Sequence, residues 1–148
     1  MSLKLSTGLR NEMLAVGSFK ATMDGCTLKI YDGVEPATAD AALASNTLLS
    51  QIFLNNDGLT GLTFNATASS GVIQKTTAEV WEGTNAASGT ATFYRLELAE
   101  DTQVLSTTLK RVQGSVATAG AQLNLTSITL ALSASQKIDY YSLSMPTL

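Results

Sequence analysis

Apolar and polar residues alternate along much of this chain, and the alternation is first regular in residues 26–31. There Cys26, Leu28 and Ile30 are separated by polar or amphipathic neighbours, which is the period of a half-buried β-strand, and Asp32-Gly33 predicts a turn after it. Further strands are predicted at residues 47–54, 62–64, 72–73, 78–82, 90–98, 110–116, 122–132 and 138–145, and the stretch 47–54 is apolar on both faces, as expected of a strand covered on both sides. Their number and spacing predict a mainly β fold, an antiparallel β-sandwich or jelly roll of about eight strands.

One of the longer stretches contains a change of phase. Leu123 and Leu125 occupy odd positions, whereas Ile128 and Leu130 occupy even ones. A shift of one residue turns all later side chains to the other face of a strand. A bulge or bend is therefore predicted near Thr126-Ser127.

The first 24 residues show a helical period instead. Their apolar residues at helical spacing are Leu9, Met13, Val16 and Met23. Ser6 or Thr7 is suited to cap the start of such a helix, because a hydroxyl accepts hydrogen bonds from the first free backbone N–H groups. Residues 1–24 are predicted as an N-terminal helical segment and residues 25–148 as the β-sandwich, both within a single domain of residues 1–148.

Two glycines, Gly8 and Gly17, lie inside this predicted helix. Each one costs about 1 kcal/mol relative to alanine, so the helix is expected to need a neighbouring surface that holds it. That surface belongs either to the same domain or to another subunit. The sequence leaves both possibilities open.

Histidine is absent from the 148 residues, and there is a single cysteine. Histidine is the side chain whose unperturbed pKa suits proton transfer near neutral pH, so its absence argues against an enzyme. Metal and nucleotide motifs are also missing, and no cofactor is predicted. Asp32, Glu35 and Asp40 could surround an ion if their loop folded back, but solvated loop acids are the simpler interpretation. Cys26 is predicted to be a small core residue.

Charged residues make up only 14% of the chain, and the formal net charge is −3. Lys and Arg total 9 without forming a patch, so nucleic acid is not an expected partner. No apolar run approaches the ~20 residues that span a bilayer, so a membrane is not an expected partner either. A neutral surface rich in Ser, Thr and Ala favours packing against other chains, which predicts a homo-oligomer. Residues 99–108 are polar and are predicted to form an exposed turn.

Five side chains are candidates for contacts between subunits. Arg95 and Arg111 lie in otherwise apolar strands, where a guanidinium needs a carboxylate or carbonyl partner, so they are predicted to form inter-subunit salt bridges. Exposure on an edge strand is the alternative. Trp81, Tyr140 and Tyr141 are predicted to pack in the core or against another subunit, and an exposed sugar-binding face is the less favoured alternative.

Several segments of the chain resemble a family of small virion structural proteins of tailed bacteriophages. The similar segments are Leu5-Ser-Thr-Gly-Leu-Arg-Asn11, Leu28-Lys-Ile-Tyr-Asp-Gly33, Pro36-Ala-Thr-Ala-Asp-Ala-Ala42, Trp81-Glu-Gly-Thr-Asn-Ala-Ala-Ser-Gly-Thr-Ala-Thr-Phe-Tyr-Arg95, Gln113-Gly-Ser-Val116 and Ile138-Asp-Tyr-Tyr141. The resemblance extends over nearly the whole chain but contains no catalytic signature. It implies a component of the virus particle that catalyses no known reaction.

Within a particle, a small acidic β-domain of this composition is similar to cement or decoration proteins, which join neighbouring major capsid subunits. The expected partners are therefore further copies of this chain and the major capsid protein, and the expected location is the virion, after synthesis in the bacterial host cytoplasm. A neck, tail or baseplate component is the first alternative. A carbohydrate-binding module on the particle surface is the second.

Overall fold

The structure is a computed structural model that describes residues 3–147, so Met1, Ser2 and Leu148 at the ends of the predicted domain lie outside the described residues. The helices are α1 (Thr7–Ala15) and α2 (Phe19–Met23). The strands are β1 (Lys4–Leu5), β2 (Thr27–Tyr31), β3 (Leu48–Leu54), β4 (Val72–Gln74), β5 (Trp81–Thr84), β6 (Gly89–Thr90), β7 (Phe93–Glu97), β8 (Arg111–Ala117), β9 (Leu123–Asn124), β10 (Thr129–Leu130), β11 (Ser135–Ile138) and β12 (Ser142–Ser144).

The N-terminal segment forms two short helices where the sequence predicts one. Ser6 caps α1, as expected, because its hydroxyl accepts a hydrogen bond of 3.2 Å from the backbone N–H of Leu9. Ser18 caps α2 in the same way, because its hydroxyl accepts a hydrogen bond of 3.1 Å from the backbone N–H of Ala21. Leu9 and Phe19 are buried in the core of the same domain, which therefore provides the neighbouring surface that the helices need.

Most strands form one eight-stranded sheet in the order β1-β8-β7-β2-β3-β5-β11. The eighth strand is the short strand β9, which pairs with the same side of β8 as β1 does but nearer the C-terminal end of β8. The β8–β9 pair is parallel, whereas the other pairs of this sheet are antiparallel. Two ribbons complete the fold, β6 with β10 and β4 with β12. The predicted fold class is confirmed: the chain is mainly β and antiparallel, consistent with a β-sandwich, and carries short helices at its N-terminal end.

Several strands are shorter than the sequence pattern predicts. The stretch 122–132 contains two strands, β9 and β10, and the chain leaves strand geometry between them, where the bulge near Thr126-Ser127 is predicted. The final stretch 138–145 is also divided, because residues 139–141 between β11 and β12 are not part of a strand. Leu62 and Phe64 make only isolated bridges, to Cys26 and Lys75 respectively.

The main core lies on one face of the sheet, under the two helices and the β4–β12 ribbon. Leu28 on β2 is paired with Leu96 on β7, and both side chains are completely buried. Trp81 lies at the centre of the aromatic part of this core, with ring centroids 5.7 Å from Phe64 and 5.9 Å from Tyr141. Cys26 is buried in the same cluster, as predicted, and burial raises the pKa of its thiol above the usual value.

Candidate functional site

The face of the sheet opposite the core carries charged and amide side chains. They come from the adjacent strands β2, β7 and β8, where polar residues alternate with core residues. The set, here called the buried polar cluster, consists of Lys29, Arg95, Glu97, Arg111 and Gln113. Apart from Lys29, these residues are completely buried. Two loops cover them: the first loop (residues 32–47) and the second loop (residues 98–110).

Arg111 connects both loops. Its Nε and Nη2 atoms lie 2.5 and 2.8 Å from the two carboxylate oxygens of Asp101 in the second loop, an arrangement that matches the planar guanidinium. Nη2 also donates to the carbonyl oxygen of Val104 at 2.8 Å. Nη1 donates to the carbonyl oxygens of Ala39 and Asp40 in the first loop, at 3.2 and 3.3 Å. The side chain therefore fixes backbone positions in both loops.

Arg95 lies beside Arg111 and holds the first loop. Its Nε donates to the side-chain oxygen of Gln113 at 2.8 Å, and its Nη2 donates to the carbonyl oxygen of Ala41 at 2.8 Å. Gln113 in turn donates to the carbonyl oxygen of Pro36 at 2.8 Å. Burial, and next the nearby positive charge of Arg111, lower the pKa of Arg95.

Glu97 supplies negative charge to the same cluster. One carboxylate oxygen accepts hydrogen bonds from Lys29 Nζ and from the side-chain amide of Gln103, both at 2.9 Å. Through Gln103 this carboxylate holds the second loop as well. Glu97 also contributes, after burial, to raising the pKa of Tyr31, whose ring stacks on Phe93 at a centroid distance of 5.2 Å.

The two loops are also joined to each other and to helix α1. Asp40 accepts hydrogen bonds from the backbone N–H of Thr7 at 2.7 Å and from its hydroxyl at 2.6 Å. The carbonyl oxygen of Asp40 accepts from the backbone N–H of Ser106 in the second loop at 2.9 Å. A Cβ atom added at Gly8 would lie 2.3 Å from the carbonyl oxygen of Thr108, so only glycine allows the helix to approach this closely.

The two loops together form a layer with fixed backbone and exposed apolar side chains. The exposed fraction is 86% for Val34, 52% for Val104 and 72% for Leu105. The carbonyl oxygen of Val104 accepts a hydrogen bond from Arg111, so this part of the surface is held directly by the buried polar cluster. A rigid, largely uncharged surface of this kind is suited to bind another protein, because few side chains need to be ordered on binding.

The acidic residues proposed as an alternative ion site do not converge. Asp32 accepts from the backbone N–H of Thr47 at 2.6 Å, Glu35 accepts from Lys4 at 2.7 Å, and Asp40 accepts from the backbone N–H of Thr7 at 2.7 Å. Within residues 3–147, no group of three or more His, Cys, Asp or Glu side chains is placed to hold a metal ion.

The structure places four of the five candidates for contacts between subunits inside the chain. Partners within the chain replace the inter-subunit salt bridges predicted for Arg95 and Arg111, whereas core packing of Trp81 and Tyr141 is one of their two predicted alternatives. Arg95, Arg111, Trp81 and Tyr141 have at most 1% of their surface exposed, and all four have partners within this chain. A second subunit cannot contact them in this conformation. Tyr140 remains a candidate, because 65% of its surface is exposed.

Within residues 3–147, the aromatic side chains proposed for a sugar-binding face do not form a common exposed surface, because only Tyr140 of Trp81, Tyr140 and Tyr141 is exposed. Trp81 is completely buried, and its indole N–H donates to Glu79 at 2.7 Å. The hydroxyl groups of Tyr141 and Tyr94 form a buried hydrogen bond of 2.9 Å. Burial raises the pKa of both phenols.

The acceptors that make the buried arginines possible are not recognisable from the sequence pattern. Asp101 lies in the stretch predicted to be an exposed turn, yet it is buried against Arg111. One signal was present: two arginines in buried strands require oxygen partners, and the polar loops adjoining these strands are where such partners are available.

Comparisons with protein-family models, with curated proteins and with solved structures found no match for this chain. Among the described residues, no helix is long and apolar enough to cross a membrane.

Proposed function

We propose that this chain is a non-enzymatic structural protein of a bacteriophage particle, a cement protein that joins neighbouring major capsid subunits. The observation that carries the proposal is the loop layer, in which Val104 and Leu105 are exposed on a backbone that the buried polar cluster fixes. The resemblance of the sequence to small virion proteins supports the same function.

The geometry favours a binding role over a chemical one. Three ion pairs hold charged side chains near the loop layer: Arg111 with Asp101, Lys29 with Glu97, and Glu35 with Lys4. These contacts hold the surface in one shape before a partner arrives, which lowers the entropy lost on binding. A protein that binds only the assembled shell stabilises that shell by mass action, and repeated contacts on a symmetric shell strengthen the effect.

The first test is the number of copies of this chain in purified virions, measured by quantitative mass spectrometry against the major capsid protein. Hundreds of copies in a simple ratio to the capsid protein are expected for a cement protein. A count of about three to twelve, typical of a cyclic ring, would instead favour a neck, tail or baseplate component. Absence from the particles would contradict any role in the virion.

The second test examines the loop layer itself. Leu105→Asp places a charge on the proposed interface and is expected to weaken binding to purified particles by about tenfold or more. Leu59→Asp is the matched control, because Leu59 is also an exposed loop leucine (85%, against 72% for Leu105) but lies outside the loop layer. Co-sedimentation with particles measures both variants. Equal effects of the two substitutions would exclude the loop layer as the interface.

A further inference from the structure

A polar cleft of about 600 Å³ runs along one edge of the main sheet. One wall is continuous chain from Ser135 to Ser142, which includes all of β11. The other wall comes from residues 121–126, around β9. Since β11 ends the sheet on one side and β9 pairs with the outer strand β8 on the other, the two edges of the curved sheet face each other across this cleft.

The backbone of β11 has hydrogen-bonding groups directed into the cleft. The backbone N–H of Asn85 donates to the carbonyl oxygen of Ala134 at 2.9 Å, and the register with β5 continues from there without a shift. In an antiparallel pair, alternate residues bond to the same neighbour. Gln136 and Ile138 therefore bond to β5, whereas the N–H and C=O groups of Ser135 and Lys137 point to the open edge. No strand of the described chain pairs with that edge.

The size and lining of the cleft fit an extended peptide segment. Four residues of β11 extend over about 13 Å at the usual rise of a strand, which matches an added strand of about four residues. The exposed ion pair between Lys137 and Asp139, 3.1 Å apart, leaves this stretch of the cleft without net charge. Lys137 also discourages unspecific edge pairing.

We propose that an extended, uncharged segment of a neighbouring capsid subunit enters this cleft and adds to β11 as a further antiparallel or parallel strand. The inference rests on the proposed function, because it takes the partner from the shell. Main-chain hydrogen bonds to Ser135 and Lys137 supply the affinity, and the polar wall at Asn124 and Thr126 contacts the partner's side chains.

Hydrogen–deuterium exchange tests the proposal on the full chain, free and bound to purified particles. The N–H groups of Gln136 and Ile138 are already bonded to β5, so new protection of the segment 134–138 comes from Ser135 and Lys137. Their exchange is expected to slow about tenfold or more in the bound protein. The turn at residues 55–60 serves as the internal reference, because it lies outside the proposed contact.

Two substitutions of Lys137 distinguish the contribution of its backbone N–H to particle binding from that of its side chain. Lys137→Pro removes the N–H group that the added strand would use but breaks no hydrogen bond to β5, and it is expected to weaken particle binding about tenfold. Lys137→Ala keeps this N–H and is expected to bind within about threefold of the original chain, because an exposed ion pair contributes little. Thermal unfolding of both variants shows whether they fold.

The outcomes distinguish this proposal from the function on which it rests. Binding to particles with slowed exchange at 134–138 supports strand addition. Binding with unchanged exchange, or equal loss of binding in Lys137→Pro and Lys137→Ala, overturns strand addition while the cement function stands. Absence of any binding to particles overturns both. If Lys137→Pro does not fold, the exchange experiment on the original chain decides alone.

Discussion

At the scale of single residues, Arg111 is the charge on which the loop layer depends. Its guanidinium is completely buried, yet each of its nitrogens has an oxygen partner, and the Asp101 carboxylate balances its charge. A buried pair of this kind contributes little compared with two apolar residues of the same size. Removing one partner is different, because the other charge is then left in an apolar environment without compensation.

Arg111→Met is therefore expected to lower the free energy of unfolding by about 3–5 kcal/mol. The methionine fills part of the space, but Asp101 loses its counter-charge and the carbonyl of Val104 loses its donor. Urea denaturation measures the change. Arg10→Met is the matched control, since Arg10 is exposed and should change the free energy by no more than about 0.5 kcal/mol. Equal values for the two variants would contradict this account of the cluster.

The position of the arginines could be predicted from the sequence, but their partners could not. Alternation places Arg95 and Arg111 on one face of their strands, opposite the core residues. Whether that face is covered depends on contacts such as Arg111 to Ala39, which joins residues 72 positions apart. The loops that supply these acceptors have no periodic pattern, so a buried cluster and an interface between subunits give the same sequence signal.

At the scale of elements, helix α1 is held by close contact with the second loop rather than by its own propensity. Ser6 illustrates this dependence: its hydroxyl donates to the carbonyl of Leu109 at 2.7 Å and accepts from the backbone N–H of Arg111 at 2.9 Å, besides capping the helix. The first turn of α1, the end of the second loop and the start of β8 therefore form one hydrogen-bonded unit.

Gly8→Ala is expected to destabilise the protein by about 1–3 kcal/mol, although alanine favours an isolated helix by about 1 kcal/mol. The added methyl group would lie 2.3 Å from the carbonyl oxygen of Thr108, so helix and loop must separate. Gly17→Ala is the control, because its nearest neighbour would be 3.8 Å away. Thermal unfolding compares the two. A rise in stability for Gly8→Ala would show that the helix does not press on this loop.

Strand positions are the part of the fold that local pattern predicts well. The stretches 26–31 and 47–54 correspond to β2 (Thr27–Tyr31) and β3 (Leu48–Leu54), because alternation in the first and a short apolar run in the second reflect which side chains are buried. The break between β11 and β12 could not be seen in this way. Tyr140 and Tyr141 lie between the two strands but are of a residue type enriched in strands, so the sequence pattern continues through the break.

At the scale of the whole molecule, the buried phenols are expected to lower the free energy of unfolding at alkaline pH. Burial raises the pKa of Tyr31, Tyr94 and Tyr141. In the unfolded chain these phenols ionise near pH ~10. The unfolded state then binds fewer protons than the folded state, so the free energy of unfolding falls as the pH rises further, by about 1.4 kcal/mol per pH unit for each phenol. Below about pH 9 the three groups are neutral in both states and their contribution is constant.

A titration from about pH 8 to about pH 12 is expected to show phenolate absorbance and loss of the circular dichroism signal in one common transition. Tyr140→Phe is the variant to use, because it leaves only the three buried tyrosines as reporters. Phenolate absorbance that develops fully while the circular dichroism spectrum stays native would contradict the burial of these rings.

The hydrogen bonds from the buried arginines to loop carbonyls also restrict how relatives of this chain can vary. Most surface loops tolerate inserted or deleted residues, since they only connect strands. Arg111 binds the carbonyl oxygens of Ala39 and Asp40 in the first loop and of Val104 in the second loop. One extra residue in either loop would move these oxygens out of hydrogen-bond distance. In an alignment of relatives that keep both arginines, gaps should therefore be rare in these two loops, and differences in length should collect at turns such as residues 55–60.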